Sequence, residues 1–120
     1  MIRIGLDFGS TTAKIVAVSE NGNILYSDYK RHFAKPREVL REFMLEMERR
    51  FGCTEAAICF TGSVGMGVAE RCSLPFVQEV VAATKAASLL CPEASTMIDI
   101  GGEDAKIVFL RDGHATDLRM

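Results

Sequence analysis

Short apolar runs separated by polar turns open the sequence and predict three strands. The segments at residues 2–7, 13–19 and 24–30 are apolar or alternate apolar with polar residues, a pattern typical of β-strands. Asn21-Gly22 between the second and third segments is a tight-turn signal, which favours a hairpin. The first 30 residues therefore predict a three-stranded antiparallel meander.

A helical repeat of apolar residues follows the meander. Pro36 suits the first turn of a helix, and apolar residues recur every three or four positions from there to Phe51. Gly52 ends the pattern. We expect an amphipathic helix that packs on one face of the sheet and carries a Glu46–Arg50 ion pair on its exposed side.

Strand and helix signals alternate through the rest of the chain, which indicates an α/β fold. The next apolar run is separated from the third strand by a helix, so its pairing is expected to be parallel. The alanine-rich helix near the middle of the chain is expected to lie buried between layers. The predicted elements are strand 55–60, helix 65–72, an extended segment 74–79, helix 80–90 and strands 96–100, 105–110 and 115–120.

Composition narrows the class of protein. The 120 residues are 48% hydrophobic and 25% charged, which is the globular range. A net charge of −2 without a basic tract argues against nucleic acid as a partner. No apolar run reaches the ~18 residues of a membrane helix, and no signal peptide opens the chain, so a cytoplasmic location is expected. The four cysteines have no paired spacing and are expected to be reduced and mostly buried.

A hydroxyl-rich turn joins the first two strands. Asp7 ends the first strand, and Lys14 lies in the second, where it either points at a ligand or is an exposed strand residue. Backbone amides and hydroxyls in such a turn form a donor nest for phosphate, and the carboxylate is suited to hold hydrated Mg²⁺. The turn contains Gly9, Ser10, Thr11 and Thr12.

A second turn of the same kind appears about ninety residues later. An apolar strand ends in Asp99, and Gly101 and Gly102 follow it. Asp104 then either orients water or metal, or is an exposed turn acid. We interpret the two turns as clamps on the phosphates of one nucleotide, with Asp7 and Asp99 on the metal side. A third glycine-rich stretch, Thr61–Gly67, is either a strand-to-helix connection or a loop beside the ligand.

These motifs resemble those of a known group of ATPases. Asp7-x-Gly-Ser-Thr-Thr12 and Asp99-x-Gly-Gly102 resemble the two phosphate motifs of the fold shared by actin, sugar kinases and the large heat-shock chaperones. The segments Gly5–Lys14, Thr61–Gly65 and Ile98–Lys106 are most similar to the activators of 2-hydroxyacyl-CoA dehydratases and the ATPase subunits of benzoyl-CoA reductase. The resemblance implies a ribonuclease H-like fold, in which an antiparallel three-stranded meander is extended by parallel strands and flanked by helices.

The resemblance also implies a function and a domain organisation. Such activators form homodimers that hold one [4Fe-4S] cluster and use ATP to deliver a low-potential electron to a CoA-ester dehydratase or reductase. Residues 1–93 would be the first ATPase subdomain, and residues 94–120 the truncated opening of the second. The cluster cysteines of the family follow later in its sequences, so no cysteine here is assigned to a cluster. Short activators usually carry Gln at the position of Glu103. The Glu found here resembles the corresponding residue of the long, multi-domain activases.

The same fold implies a residue that positions the attacking water at the start of the helix after the fifth strand. Glu79 is the candidate, with Gln78 second, although a Glu there also complements the helix dipole. Two other functions are compatible with the scaffold. One is a sugar or carboxylate kinase that would use Glu70 or Glu79, and the other is a non-catalytic, actin-like nucleotide-binding assembly module.

Overall fold

A computed structural model describes residues 1–52, 55–101 and 104–120 of the chain. These residues form two compact units, Met1–Val77 and Gln78–Met120, each described by itself. The sequence places the subdomain boundary near residue 93, and that functional division stays a prediction.

The first unit contains a four-stranded sheet with the strand order β3-β2-β1-β4. The first three strands are antiparallel, as the meander predicts, and β4 pairs in parallel with β1. The segment after residue 73 forms only one parallel bridge, from Phe76 to Phe60, instead of a further strand. The strands are β1 (Ile2–Phe8), β2 (Thr12–Val18), β3 (Ile24–Arg31) and β4 (Ala56–Thr61).

Helix α1 (Pro36–Phe51) covers one face of this sheet. Its buried side chains are Val39, Phe43 and Met47, spaced four apart as expected for a single helical stripe. The opposite side carries the predicted ion pair of Arg50 with Glu46, at 2.7 Å. The hydrophobic periodicity alone thus predicted the helix and the face it buries.

The alternation of side chains along β1 places Asp7 away from this core. Ile4, Leu6 and Phe8 are buried on the α1 side, and Phe8 lies edge-on to Phe43 with ring centroids 6.3 Å apart. Burial of each such aromatic ring contributes about 2 kcal/mol. Because successive strand residues point to opposite faces, Asp7 points to the other side, at the carboxyl end of the strand.

Helix α2 (Gly65–Cys72) follows β4 after a short loop, and it buries Gly65 and Ala69. The side chain of Phe76 lies 3.6 Å from where a Cβ on Gly65 would be, so a side chain at that position would touch the ring. The small residues on this face of α2 allow it to lie against β4 and β1.

The second unit combines one helix with a second antiparallel meander. Its elements are α3 (Glu79–Leu90), β5 (Thr96–Ile100), β6 (Ala105–Arg111) and β7 (His114–Arg119), in the sheet order β5-β6-β7. The helix contacts β7, and Val108 and Leu110 of β6 are buried. The expected burial of α3 between layers is wrong for the described residues, because only its Thr84 is buried and Leu89 and Leu90 are exposed.

The cysteines differ from the expectation in their burial. Cys59 is partly buried, whereas Cys72 and Cys91 are exposed, and all three are free thiols. Cys59 lies within β4, Cys72 is the last residue of α2, and Cys91 directly follows α3. Side chains at helix ends have fewer neighbours than those in the core, which accounts for the exposure of Cys72 and Cys91. Cys53 lies outside the described residues. No helix in the described ranges is long and apolar enough to cross a membrane.

Candidate nucleotide-binding site

The turn between β1 and β2 is closed by a backbone hydrogen bond. The N–H of Gly9 donates to the carbonyl of Thr12 at 2.9 Å, and the side chains of Ser10 and Thr11 are exposed between them. A Cβ on Gly9 would lie 3.6 Å from that carbonyl, an ordinary contact distance. The turn itself therefore does not require glycine, and the space above Gly9 is open to a ligand.

Asp7 and Lys14 face each other across this hairpin. They are cross-strand partners, and Lys14 Nζ lies 3.4 Å from Asp7 Oδ2. Both side chains keep a third or more of their surface exposed, so the pair is worth at most about 1 kcal/mol. The ammonium also lies 5.8 Å from the centre of the Tyr29 ring. The pair is accessible and can reorganise around a bound ion without a large loss of stability.

The loop after β4 lies directly against the end of β1. Val64 N–H donates to the Phe8 carbonyl at 2.9 Å, and Gly62 has a φ of +96°. A Cβ on Gly62 would lie 2.3 Å from the Phe8 oxygen and 2.7 Å from Asp7 Oδ1. Thr61, the parallel partner of Asp7, has a buried hydroxyl without a hydrogen-bond partner. The third glycine-rich stretch thus connects β4 to α2 and forms a wall beside Asp7. Its contact with a ligand, the other alternative from the sequence, stays a prediction.

The hairpin of β5 and β6 in the second unit shares two contacts with the first hairpin. Gly101 N–H donates to the Asp104 carbonyl at 2.8 Å, and Asp99 is the cross-strand partner of Lys106. Gly102 and Glu103 lie outside the described residues. In both hairpins an Asp is followed by a Gly two residues on, by the accepting carbonyl five residues on, and by a Lys seven residues on.

Lys106 connects this turn to the start of α3. Its Nζ lies 2.9 Å from Glu79 Oε2 and 3.7 Å from Asp104 Oδ2, and its side chain is only 12% exposed. The hydrogen bond to Glu79 raises the pKa of Lys106, and the charges of Glu79, Asp104 and Asp99 add to the effect against an opposing contribution from burial. No local sequence signal predicts this role of Lys106 beyond its spacing from Asp99, which equals that of Lys14 from Asp7.

Glu79 is the first residue of α3 and is partly exposed. Its carboxylate is held by Lys106, within the same unit as the second phosphate-type turn. Gln78 is the N-cap residue and makes no side-chain capping bond. Of the two candidates for a water-positioning group, Glu79 is therefore the one whose side chain is fixed by a charged neighbour.

The donor sets can be compared with the metal groups that sequence suggests. Among the described residues, no three His, Cys, Asp or Glu side chains come together as a metal site. Mg²⁺ in nucleotide sites needs only one or two carboxylates, since phosphates and water complete its shell. Asp7 alone meets this requirement in the first unit, and Asp99 alone meets it in the second. An iron–sulfur cluster needs several thiolates, and the described cysteines do not provide such a group.

Known structures share this architecture. Component A of (R)-2-hydroxyglutaryl-CoA dehydratase from Acidaminococcus fermentans aligns with a TM-score of 0.82 at 22% identity, over 98% of this chain and 46% of that chain. The activator of the 2-hydroxyisocaproyl-CoA dehydratase from Clostridium difficile was solved with bound ADPNP. It aligns with a TM-score of 0.78 at 26% identity, over 99% of this chain and 45% of that chain. These similarities confirm the actin-like, ribonuclease H-like α/β fold predicted above.

Sequence comparison gives the family. An uncharacterized protein of Methanocaldococcus jannaschii is 28% identical over 115 residues, which are 95% of this chain and 46% of that protein. The chain thus spans about half the length of the proteins it matches. A sequence profile of the BadF/BadG/BcrA/BcrD ATPase family matches residues 4–120. The chain belongs to the BadF/BadG/BcrA/BcrD ATPase family.

Proposed function

We propose that this chain provides phosphate-binding elements of an ATP-hydrolysing activase that delivers a low-potential electron to a CoA-ester dehydratase or reductase. The observation that carries the proposal is the repeated hairpin, in which an Asp, a turn closed at a Gly and a cross-strand Lys recur in both units. The family and the ADPNP-bound activator among its structural neighbours support nucleotide binding.

The first turn is proposed to bind phosphate oxygens through its amides and through the hydroxyls of Ser10, Thr11 and Thr12. Lys14, in the strand after the turn, adds a positive charge beside it. Such donors aimed at developing negative charge stabilise the transition state of phosphoryl transfer. Because the side chains of Ser10 and Thr11 are exposed and the space above Gly9 is open, the turn can receive a ligand without rearrangement of the core.

The carboxylates are proposed to hold the metal and the attacking water. Asp7 would hold hydrated Mg²⁺, which neutralises the charge of the phosphates, and Asp99 is proposed for the same role in the second unit. Gly101, Gly102 and Asp104 would form the second phosphate turn. Glu79 would orient the water, and its ion pair with Lys106 holds its carboxylate in one place.

The partner and the electron-transfer step rest on the names of the structural neighbours, a dehydratase component and a dehydratase activator. We propose a CoA-ester dehydratase or reductase component as the partner and a homodimer as the active form in the cytoplasm. Because the described cysteines do not form a cluster-binding group, we assign no step through a [4Fe-4S] cluster to these residues.

The proposal is tested with the purified protein in two stages. The first stage measures ATP binding by calorimetry and phosphate release, with Mg²⁺ and with EDTA. We expect Mg²⁺-dependent binding and slow hydrolysis. The second stage adds a 2-hydroxyacyl-CoA dehydratase, with dithionite as the electron donor, and follows ATP-dependent reduction of the dehydratase by its visible absorbance. An unchanged spectrum with ATP and donor present would contradict the electron-transfer role.

Two other outcomes would identify the alternatives. Transfer of the γ-phosphate to a sugar or carboxylate, in a preparation free of iron, would make the protein a kinase. ATP binding without hydrolysis, or polymerisation on addition of ATP, would make it an assembly module. Either result would replace the activase proposal.

A further inference from the structure

A buried histidine lies directly beneath the first phosphate-type turn. His32 follows the last residue of β3, and only 4% of its surface is exposed. Its Nε2 lies 2.7 Å from the carbonyl oxygen of Gly9, and its Nδ1 lies 3.1 Å from the backbone nitrogen of Ala34. A carbonyl can only accept and an amide N–H can only donate. The ring must therefore be neutral, with its proton on Nε2 and a lone pair on Nδ1.

The backbone of His32 makes a second contact with the same turn. Its N–H donates to the carbonyl of Thr11 at 3.1 Å, while its own carbonyl accepts from Lys35 N–H at 2.7 Å. One residue thus holds two carbonyls of the turn, those of Gly9 and Thr11. Neither contact uses the side chains that the phosphate proposal assigns to the ligand.

The segment after His32 is shaped to complete this arrangement. Phe33 and Ala34 have φ values of 49° and 58°, in the left-handed region that residues with a Cβ rarely occupy. Two consecutive residues of this kind are unfavourable and persist only where surrounding contacts determine them. Their conformation turns the Ala34 N–H back onto Nδ1, which fixes the ring and its protonation.

The consequence for the turn follows from the geometry of the peptide bond. In a trans peptide the C=O of one residue and the N–H of the next point in opposite directions. When His32 holds the Gly9 carbonyl, the N–H of Ser10 points away from the imidazole. The Thr11 carbonyl is held by the backbone N–H of His32, so the N–H of Thr12 likewise points away from the backbone of His32.

We propose that His32 is a positioning residue that sets these two peptide planes, so that the Ser10 and Thr12 amides are oriented as donors before any phosphate arrives. The inference rests on the proposed phosphate binding by this turn. Preorganised donors are worth more to a ligand than mobile ones, because their orientation costs nothing at the moment of binding. His32 acts through the backbone and does not contact the ligand.

Two substitutions test whether His32 positions the turn through its hydrogen bond to Gly9 or only fills space beneath it. In Gln the amide nitrogen stands as many bonds from Cβ as Nε2, so His32→Gln keeps the donor to Gly9. In Asn the amide oxygen replaces Nδ1, so His32→Asn keeps the bond from Ala34 but cannot reach Gly9. With MgADP as the probe, we expect an affinity within about threefold of wild type for His32→Gln and a loss of about tenfold or more for His32→Asn.

Two measurements without nucleotide keep the inference independent of the proposed function. Long-range ¹H–¹⁵N correlation of the wild-type imidazole should show one neutral tautomer with the proton on Nε2. The Ser10 and Thr12 amide shifts should change in His32→Asn and stay near wild type in His32→Gln.

If wild type binds no nucleotide while the tautomer and amide shifts are as expected, the proposed function fails and the positioning stands. An Nδ1-protonated ring, or two variants with equal amide shifts and equal affinities, would overturn the positioning role. The tautomer measurement needs no variant, so poor folding of either substitution leaves it intact.

Discussion

Lys106 Nζ lies 2.9 Å from Glu79 Oε2 and joins the first residue of α3 to the second hairpin. The lysine side chain is mostly buried, and the carboxylate of Asp104 is 3.7 Å from the same nitrogen. The positive charge of Lys106 offsets the negative charges of the Glu79 and Asp104 carboxylates, which would otherwise repel each other and any phosphate. The pair is therefore expected to matter for stability as well as for the site.

Removal of this cation should change the pH dependence of stability. The pKa of Lys106 is raised above its usual 10.5, mainly by the hydrogen bond to Glu79. The stability it contributes is complete below pH 10.5 and is lost as the pH rises through the folded-state pKa. We expect Lys106→Met to lower the free energy of unfolding by about 1 kcal/mol at pH 8, with the difference shrinking above pH 10.5.

The measurement is urea unfolding followed by circular dichroism between pH 7 and pH 11.5. Lys85→Met on α3 is the matched control, because no ion pair of Lys85 is present in the described part of the chain. If the unfolding free energies of Lys106→Met and wild type differed by the same amount from pH 7 to pH 11.5, the stabilising role of the charged Lys106 would be contradicted.

Among the glycines in the described part of the chain, Gly62 is the one whose replacement meets the closest contact. An added Cβ would lie 2.3 Å from the Phe8 carbonyl oxygen, and φ is +96°. Gly62→Ala should therefore lower the free energy of unfolding by about 3 kcal/mol. Gly67→Ala in α2 is the control, since nothing lies within 4 Å of its Cβ position, and it should stabilise the protein by about 0.5 to 1 kcal/mol. Similar unfolding midpoints in urea for the two variants would show that the Gly62 contact is not as close as described.

Acid stability should depend on Glu46. Hydrogen bonds from Arg49 and then Arg50 lower the pKa of this carboxyl to about 2. A depressed pKa stabilises the fold above the unfolded value of 4.5, and this contribution is lost as the pH falls from there to about 2. Glu46→Gln should flatten the decline of unfolding free energy over that interval, whereas Glu70→Gln on α2 should leave it unchanged. Parallel curves for wild type and Glu46→Gln would count against this prediction.

Asp7 should affect the metal-bound nucleotide more than the fold. Its ion pair with Lys14 is exposed, so Asp7→Asn should change the unfolding free energy by less than about 1 kcal/mol. We expect the affinity for MgADP to fall by about tenfold or more, and the affinity for ADP in EDTA to stay the same. Asp117→Asn on β7 serves as the control carboxylate. Calorimetry measures the affinity under both conditions. An equal loss of affinity with and without Mg²⁺ would show that Asp7 does not hold the metal.

Most elements could be predicted from sequence because their signals are local. The alternation in β1 and the four-residue repeat of Val39, Phe43 and Met47 determined strand, helix and buried face without knowledge of partners. The burial of α3 could not be predicted in this way. Its alanines are compatible with a buried or an exposed helix, and the choice depends on which surfaces lie near it.

The candidate site was only partly visible in the sequence for the same reason. Asp7 and Asp99 stand next to glycine-rich turns, so their neighbours in the chain mark them. Lys106 and the residue it contacts, Glu79, are 27 positions apart in the chain, and His32 and Gly9 are 23 positions apart. Such contacts require the sheet register, which no local pattern gives.

The closing bond and cross-strand pair of each hairpin lie within eight successive residues, 7–14 and 99–106. Structures of such short span can form within microseconds of collapse. The parallel pairing of β1 with β4 joins residues 54 apart, such as Ile2 and Ala56, and must await closure of a long loop. During folding, each phosphate-type turn is therefore expected to exist as an isolated hairpin first, and the wall that Gly62 forms beside Asp7 is added late.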